Sequence, residues 1–272
     1  MAGLLADPDT QLAVTTIIMA PFIGSFLGLI AERVPIGREV VFSRSECDTC
    51  NHQLSALDLM PIVSWVIQRG RCRYCKTPVD IAYPLIEIGA LVVAVTAILH
   101  FSGWIFVISC GFGWALLTAA IMDARYSVMS DVVTLCLIPA GLFVTLVATP
   151  SSVLHSLLGA ILGFVSLFAL ARAYASWRGF EGLGLGDAKL FAGAGAWVTW
   201  QGLPSVLLIA GVSALLVVGL RSLASVPVGR YEAIPFGPYL ALGSWLVWLR
   251  GPLTLDDPLL GWFKLSVRSI AP

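Results

Sequence analysis

Long apolar segments are the feature that most limits how this chain can fold. They cover residues 11–31, 83–101, 103–122, 131–149, 153–173, 187–202, 204–223 and 235–250. A helix of roughly 20 apolar residues spans the hydrocarbon core of a bilayer, and helices satisfy their own backbone groups in lipid. Only 12% of the residues are charged, against about 25% in a soluble domain. The sequence therefore predicts an all-α polytopic membrane protein, in contact with the lipid bilayer, with about eight transmembrane helices.

The segment 187–202 departs most from a typical spanning helix, because it is short and rich in glycine and alanine. The eight segments predict four parts: a first transmembrane helix (1–31), a polar loop (32–82), a seven-helix membrane domain (83–250) and a C-terminal tail (251–272). We call the loop 32–82 the cysteine module, since it contains two pairs of cysteines.

Basic residues orient the predicted bundle, since cytoplasmic loops are enriched in Lys and Arg. With the N-terminus outside, in the periplasm, the cysteine module is cytosolic. Thirteen of the sixteen basic residues then lie on the cytosolic side, and Arg250, Lys264 and Arg268 lie on the other. The formal net charge is zero, so no general attraction to nucleic acid is expected.

The cysteine module contains two C-x-x-C pairs, Cys47 with Cys50 and Cys72 with Cys75, separated by 21 residues. Each pair can direct two thiolates at one metal ion, and four thiolates complete a tetrahedral Zn²⁺ shell. Such a closed shell predicts a structural rather than a catalytic zinc, in a zinc-ribbon-like domain. Disulfides are rare in the cytosol, and thiol redox chemistry is the other alternative.

Ionisable residues at the ends of membrane helices are candidates for function. Asp123 ends the third predicted helix, Asp131 begins the fourth and Asp187 begins the sixth. All three are expected at the cytosolic face. Two carboxylates that share a site cannot easily both ionise, so one retains a proton while the other activates a water molecule. This pairing is suited to peptide hydrolysis, although each aspartate could instead cap a helix.

Several neighbouring residues are possible accessories to that site. Gly184 and Gly186 precede Asp187, and glycine permits close backbone approach and unusual dihedral angles. Lys189 follows and could tune the local charge or extend to the interface. Glu87 lies just inside the second helix, where a structural or substrate-facing polar contact is favoured over catalysis. No H-E-x-x-H sequence is present, which argues against the commonest zinc-protease site.

These motifs follow one another along the chain in an order that is found in a known protein family. The chain resembles the bacterial type IV prepilin peptidases, which are bifunctional leader peptidases and N-methyltransferases. The matching stretches are residues 24–27 with Arg33 and Pro35, Arg44-Ser45, 57–61 with Ser64-Trp65, 70–75, 83–87, Asp123 with Asp131 eight residues later, 184–189 and 234–238.

The resemblance implies that Asp123 and Asp187 are the catalytic pair of an aspartyl endopeptidase. It further implies that prepilins of type IV pili, or pseudopilins of type II secretion, lose a short basic leader at the cytosolic face of the inner membrane. The new N-terminal residue is then methylated with S-adenosylmethionine, a step tied in the family to the cysteine domain. No glycine-rich Rossmann fingerprint is present, so the sequence leaves the S-adenosylmethionine pocket unassigned, and it leaves the oligomeric state open.

Two positions depart from the family pattern. Asp48 replaces a frequent proline, and Ala82 replaces a frequent arginine before Tyr83-Pro84, which removes a charge near Glu87. Two other classes stay open from the residues alone. A presenilin-like intramembrane aspartyl protease would share the Gly-x-Gly-Asp sequence but has no use for the cysteines. A non-enzymatic polytopic scaffold would use the zinc ribbon for docking but leaves Asp123 and Asp187 without a role.

Overall fold

The computed structural model of the protein describes residues 7–40, 45–47, 49–179, 183–224 and 234–253. Within these ranges the protein is helical and has no strand, only two isolated bridges, Glu46 with Gln53 and Arg71 with Pro78. The helices are α1 (Pro8–Arg33), α2 (Val63–Ile67), α3 (Ala82–Ile98), α4 (Gly103–Tyr126), α5 (Asp131–Ala148), α6 (Val153–Arg178), α7 (Leu185–Leu223) and α8 (Gly237–Arg250). The all-α prediction is therefore confirmed.

The chain divides into two compact units, Met1–Thr134 and Leu135–Pro272. In the first unit, α1, α3 and α4 pack against one another, and the cysteine module joins α1 to α3. Gly24 allows a short distance between α1 and α3, because a Cβ added there would lie 2.7 Å from Glu87 Cα and 2.9 Å from Ala90 Cβ. The lack of a side chain thus lets the two backbones come close, as is common between membrane helices.

In the second unit, α7 packs against α6 and α8. Gly159 of α6 and Gly195 of α7 face each other so closely that a Cβ on either would overlap the backbone of the other. Every residue from Leu190 to Val198 is buried. The glycine- and alanine-rich segment that looked least like a spanning helix is therefore a densely packed part of this unit.

The predicted segments 187–202 and 204–223 both lie in α7, where two helices meet at a break at Thr199, with φ 61° and ψ 175°. Pro204 lacks an N–H group and its ring crowds the carbonyl four residues earlier, so the break falls ahead of the proline. At ~1.5 Å per residue, an unbroken helix of this length would far exceed a bilayer core of about 30 Å.

The count of eight spans is not confirmed. Among the described residues, five helices are long and apolar enough to cross a membrane: α1, α4, α5, α6 and α7. The apolar helix α3 is shorter, and α8 has 14 residues. The predicted tail, 251–272, lies outside the described residues beyond Leu253.

Candidate active site and metal centre

The two cysteine pairs form two loops of the same geometry. In the first, Cys47 N–H donates to His52 O at 3.0 Å and Asn51 N–H donates to Cys47 O at 2.8 Å. In the second, Cys72 N–H donates to Thr77 O at 2.8 Å and Lys76 N–H donates to Cys72 O at 3.0 Å. The residue after each second cysteine, Asn51 or Lys76, has a positive φ, 54° and 61°. Each loop therefore turns both of its thiols toward the same side.

The four cysteine sulfur atoms form one cluster. All four Sγ atoms lie within 4.8 Å of one another, and Cys47 Sγ lies 3.7 Å from Cys75 Sγ. With Zn–S bonds of about 2.3 Å, the edge of a tetrahedron of sulfurs is roughly 3.8 Å, so the donor set and spacing fit a metal ion. A hydrogen bond with the Thr77 hydroxyl is the main cause that lowers the pKa of Cys75 to about 6, which favours the thiolate that a metal requires.

Asp58 stabilises the interior of the cysteine module. Its carboxylate accepts hydrogen bonds from the Ser55 hydroxyl at 2.6 Å and from Gln68 Nε2 at 3.1 Å, and it lies 3.9 Å from the Arg73 guanidinium. The Ser55 hydrogen bonds are the largest reason that the pKa of Asp58 is below its usual value. The resemblance motif 57–61 therefore contains a structural carboxylate, which the sequence analysis did not single out.

Glu87 joins the cysteine module to the membrane helices. It is 6% exposed, and it accepts a hydrogen bond from the Ile62 N–H at 2.6 Å. Ile62 has a positive φ of 61°, so the chain turns sharply at the point where it meets the carboxylate. This contact is a polar one that links the cysteine module to α3.

A second attachment lies at the other end of the cysteine module. Asp80 forms an ion pair with Arg125, in the last turn of α4. The backbone N–H of Ala82 is the largest cause that lowers the pKa of Asp80, and Arg125 adds to it. No local sequence pattern predicts this pair, because the two residues are 45 positions apart.

Asp123 lies near the C-terminal end of α4 and is 8% exposed. The helix ends at Ser127, a left-handed residue whose N–H donates to the Asp123 carbonyl at 2.9 Å. Asp123 is therefore no helix N-cap, and its carboxylate is buried at the end of a membrane helix.

Asp187 lies in the first turn of α7 and is 6% exposed. Its Oδ2 accepts a hydrogen bond from the Gly184 N–H at 3.1 Å, so this carboxylate caps the helix, as the alternative interpretation allowed. Its Oδ1 is also buried. Lys189, two residues on, is half-buried.

The two glycines before Asp187 have ordinary backbone conformations. Gly184 is extended, with φ −75° and ψ 149°, and Gly186 lies within α7 without a positive φ. A Cβ at Gly184 would lie 3.5 Å from Asp187 Oδ2, an ordinary contact.

Asp131 differs from the other two aspartates because it is exposed. It is the first residue of α5, and the Thr134 N–H donates to the Ser130 carbonyl at 3.1 Å. Ser130, not Asp131, therefore occupies the cap position, while the charge of Asp131 favourably faces the positive end of the helix dipole.

The fold and these sites define a multi-pass membrane protein with a four-thiol metal-type centre and two buried carboxylates at helix ends. Two family models match the chain: the bacterial peptidase A24 N-terminal domain over residues 18–101 and the type IV leader peptidase family over residues 110–219. No solved structure matches the chain significantly.

Relatives named prepilin leader peptidase/N-methyltransferase match over most of the chain. The protein from Burkholderia pseudomallei (strain 1026b) is 34% identical over 78% of this chain and 77% of its own length. The protein from Aeromonas hydrophila is 34% identical over 70% of this chain and 74% of its own, and that from Pseudomonas aeruginosa is 30% identical over 76% and 80%. The chain therefore belongs to the prepilin leader peptidase/N-methyltransferase family, and it is a multi-pass bacterial membrane protein.

Proposed function

We propose that the protein is a bifunctional enzyme that cleaves the basic leader from type IV prepilins or type II secretion pseudopilins and then N-methylates the new N-terminal residue. The family membership, with relatives that carry both activities in their names over more than two thirds of the chain, is the observation that carries this proposal. The burial of Asp123 and Asp187, in contrast to the exposed Asp131, supports the choice of the first two as the catalytic carboxylates.

In the proposed reaction, one of Asp123 and Asp187 deprotonates a water molecule, which attacks the scissile carbonyl. The other, as a carboxylic acid, protonates the carbonyl oxygen or the leaving amine. A coupled pair titrates as a unit, so the roles of acid and base belong to the pair. Lys189 and the two glycines would shape the space around Asp187. The proposed site faces the cytosol, with the N-terminus in the periplasm, as the distribution of Lys and Arg suggests.

The cysteine module, residues 32–82, is proposed to bind one structural Zn²⁺ through Cys47, Cys50, Cys72 and Cys75. The ion would supply folding free energy to a loop with a small apolar core of its own, not chemistry. S-adenosylmethionine would supply the methyl group. The membrane domain, 83–250, would contain the peptidase site, and the tail, 251–272, would lie outside it.

The test is incubation of the purified protein in detergent with a synthetic prepilin, with product masses read by mass spectrometry. Wild type is expected to remove the leader and, with S-adenosylmethionine present, to add one methyl group. Asp123→Asn and Asp187→Asn are each expected to abolish cleavage, because loss of either carboxylate removes the acid–base pair. Asp9→Asn, which alters an exposed residue in the first turn of α1, is the matched control and retains both activities.

Normal cleavage by either Asn variant would refute the carboxylate pair. Cleavage of a substrate within its spanning helix, rather than after the leader, would favour a presenilin-like enzyme. Absence of both activities from a folded, zinc-loaded wild type would favour a scaffold that docks a partner through the cysteine module.

A further inference from the structure

The first unit contains a cavity of about 1100 Å³. Its walls are the last turns of α1, the first turns of α3, the cysteine module and Tyr126 at the end of α4. Pockets for small molecules and cofactors measure roughly 300–1,000 Å³, so this cavity has room for a nucleoside-sized ligand. It lies entirely within one compact unit.

The wall of the cavity is acidic. Among the described residues, six carboxylates and three guanidinium groups line it; the acids are Glu32, Glu39, Glu46, Asp58, Asp80 and Glu87, and the bases are Arg33, Arg38 and Arg71. Asp58 and Asp80 form ion pairs with Arg73 and Arg125, which do not line the cavity, so the four other acids exceed the three bases by one. A concave surface with an excess of one charge raises the local concentration of ligands of the opposite sign. The cavity therefore favours a cation.

Two of these carboxylates are held in place by short hydrogen bonds from other parts of the unit. Glu32 Oε2 accepts from the Tyr83 hydroxyl at 2.5 Å, and Glu87 Oε2 accepts from the Ile62 N–H at 2.6 Å. Asp58 and Asp80, by contrast, form ion pairs with Arg73 and Arg125. Glu32 and Glu87 are consequently the preorganised acceptors for a cationic centre in the cavity.

Flat aromatic groups also line the cavity. Trp65, Tyr83 and Tyr126 contribute to its wall and are half-buried. Aromatic side chains stack on nucleobases. An acidic wall with oriented carboxylates, together with aromatic faces, matches a ligand that combines a cationic centre with an aromatic base.

We propose that this cavity binds the methyl donor, a sulfonium nucleoside, with Glu32 and Glu87 next to its cationic part and Trp65 against its base. The inference rests on the proposed function, because N-methylation requires such a donor. When bound, S-adenosylmethionine supplies a methyl group to a neutral amine, so one positive charge passes from sulfur to nitrogen. The acidic wall faces a cation before and after that transfer.

The experiment measures equilibrium binding to the full-length protein in detergent by titration calorimetry. The probes are S-adenosylmethionine and its neutral thioether product, S-adenosylhomocysteine. Glu32→Gln and Glu87→Gln each keep the size of the side chain and remove the charge. They are expected to weaken binding of S-adenosylmethionine about tenfold, as for loss of one charge-assisted hydrogen bond, and to change binding of the neutral thioether much less.

Trp65→Leu tests the aromatic face and is expected to weaken binding of both probes to a similar extent. Asp9→Asn, in the first turn of α1 and outside the cavity, is expected to bind both probes as wild type does. The comparison of a charged with a neutral probe on one protein sample separates recognition of the cation from a general loss of folded protein. A second readout is photochemical cross-linking of labelled S-adenosylmethionine, with the adduct expected on peptides from residues 25–126.

Unchanged affinity for S-adenosylmethionine in all three variants, or an adduct confined to residues beyond 135, would overturn the inference. If wild type still cleaves and methylates in that case, the proposed function stands and the donor binds elsewhere. If wild type cleaves but neither binds the donor nor methylates, the inference and the methyltransferase half of the proposed function both fail. Binding of a basic leader peptide in place of the donor, unaffected by saturating S-adenosylmethionine, would assign the cavity to the substrate and also overturn the inference.

Discussion

Replacement of Gly24 by alanine tests how closely α1 and α3 must pack. The added Cβ would lie 2.7 Å from Glu87 Cα and 2.9 Å from Ala90 Cβ, whereas carbon atoms in contact prefer about 3.5–4.0 Å. One obstacle is backbone, so no side-chain rotation relieves it, and the helices must separate by roughly 1 Å. Overpacking of this kind costs about 1–3 kcal/mol, partly offset by the higher helix propensity of alanine, ~1 kcal/mol.

Gly28→Ala is the matched control, one turn further along the same helix. A Cβ there would meet Ile86 Cδ1 at 3.5 Å, an ordinary contact, so only the gain in helix propensity remains. We expect Gly28→Ala to be as stable as wild type or up to about 1 kcal/mol more stable. The expected gap between the two variants is thus about 1–3 kcal/mol, or very roughly 3–10 °C in the midpoint of thermal unfolding.

The assay is thermal unfolding of both purified variants in the same detergent at one scan rate, because unfolding of such proteins is often irreversible. Binding of S-adenosylmethionine is measured at a temperature where both variants are folded. Gly24→Ala is expected to bind more weakly, since the displaced backbone carries Glu87. Equal midpoints for the two variants would refute the close α1–α3 packing on which this reasoning depends.

Three further predictions concern the metal centre, the module interior and the second unit. Cys72→Ser is expected to lose the bound zinc and to expose the cysteine module to protease. Cys136→Ser, at an exposed thiol of α5, is the control and should keep the zinc and the protease resistance. Metal analysis that finds one ion in Cys72→Ser would contradict the four-thiol site. Because the pKa of Asp58 is lowered in the folded protein, its contribution to stability is fully present above the ordinary carboxyl value of about 3.9 and is lost as the pH falls through the lowered value. The advantage of wild type over Asp58→Asn in protease resistance should therefore be complete at neutral pH and shrink in acid, and a pH-independent advantage would show that the charge is irrelevant. Gly195→Ala should lower the thermal midpoint, since Gly159 backbone occupies the space of the new Cβ. Gly211→Ala, beyond the break at Thr199 in α7, meets nothing within 4 Å and should not lower it. Equal midpoints would argue against the close α6–α7 contact.

Local signals explain what the sequence could predict. The bounds of α1, α4, α5 and α6 follow from runs of apolar residues that must match the thickness of a bilayer. The thiol cluster follows from two C-x-x-C pairs, because the loop geometry of each pair is set by a few neighbouring residues. In both cases the information lies within a short stretch of chain.

Hydropathy made the segment 187–202 the least typical of the predicted spanning helices because it measures lipid compatibility, not how closely helices approach. Its glycines and alanines reduce apolar length, yet they allow α6 and α7 to pack backbone against backbone. The sequence predicts a boundary between residues 202 and 204, and the break lies slightly earlier, at Thr199, since Pro204 disturbs the helix without determining which preceding residue changes conformation.

Contacts between residues far apart in sequence account for the features that the sequence could not predict. They also give a physical reason for the motif at residues 83–87. Tyr83 donates to Glu32 at the end of α1, and Glu87 accepts from Ile62 of the cysteine module. One turn of α3 therefore connects the first membrane helix and the module, and both bonds lie on the wall of the same cavity. Asp80 adds a bond to Arg125, two residues beyond Asp123 on α4. A module folded by its metal would thus be fastened at two points to membrane helices, through Glu87 and Asp80. A donor bound in the cavity would stabilise these contacts and the Tyr83–Glu32 bond between α1 and α3. Loss of the metal should consequently weaken donor binding even though no cysteine except Cys47 and Cys72 lines the cavity.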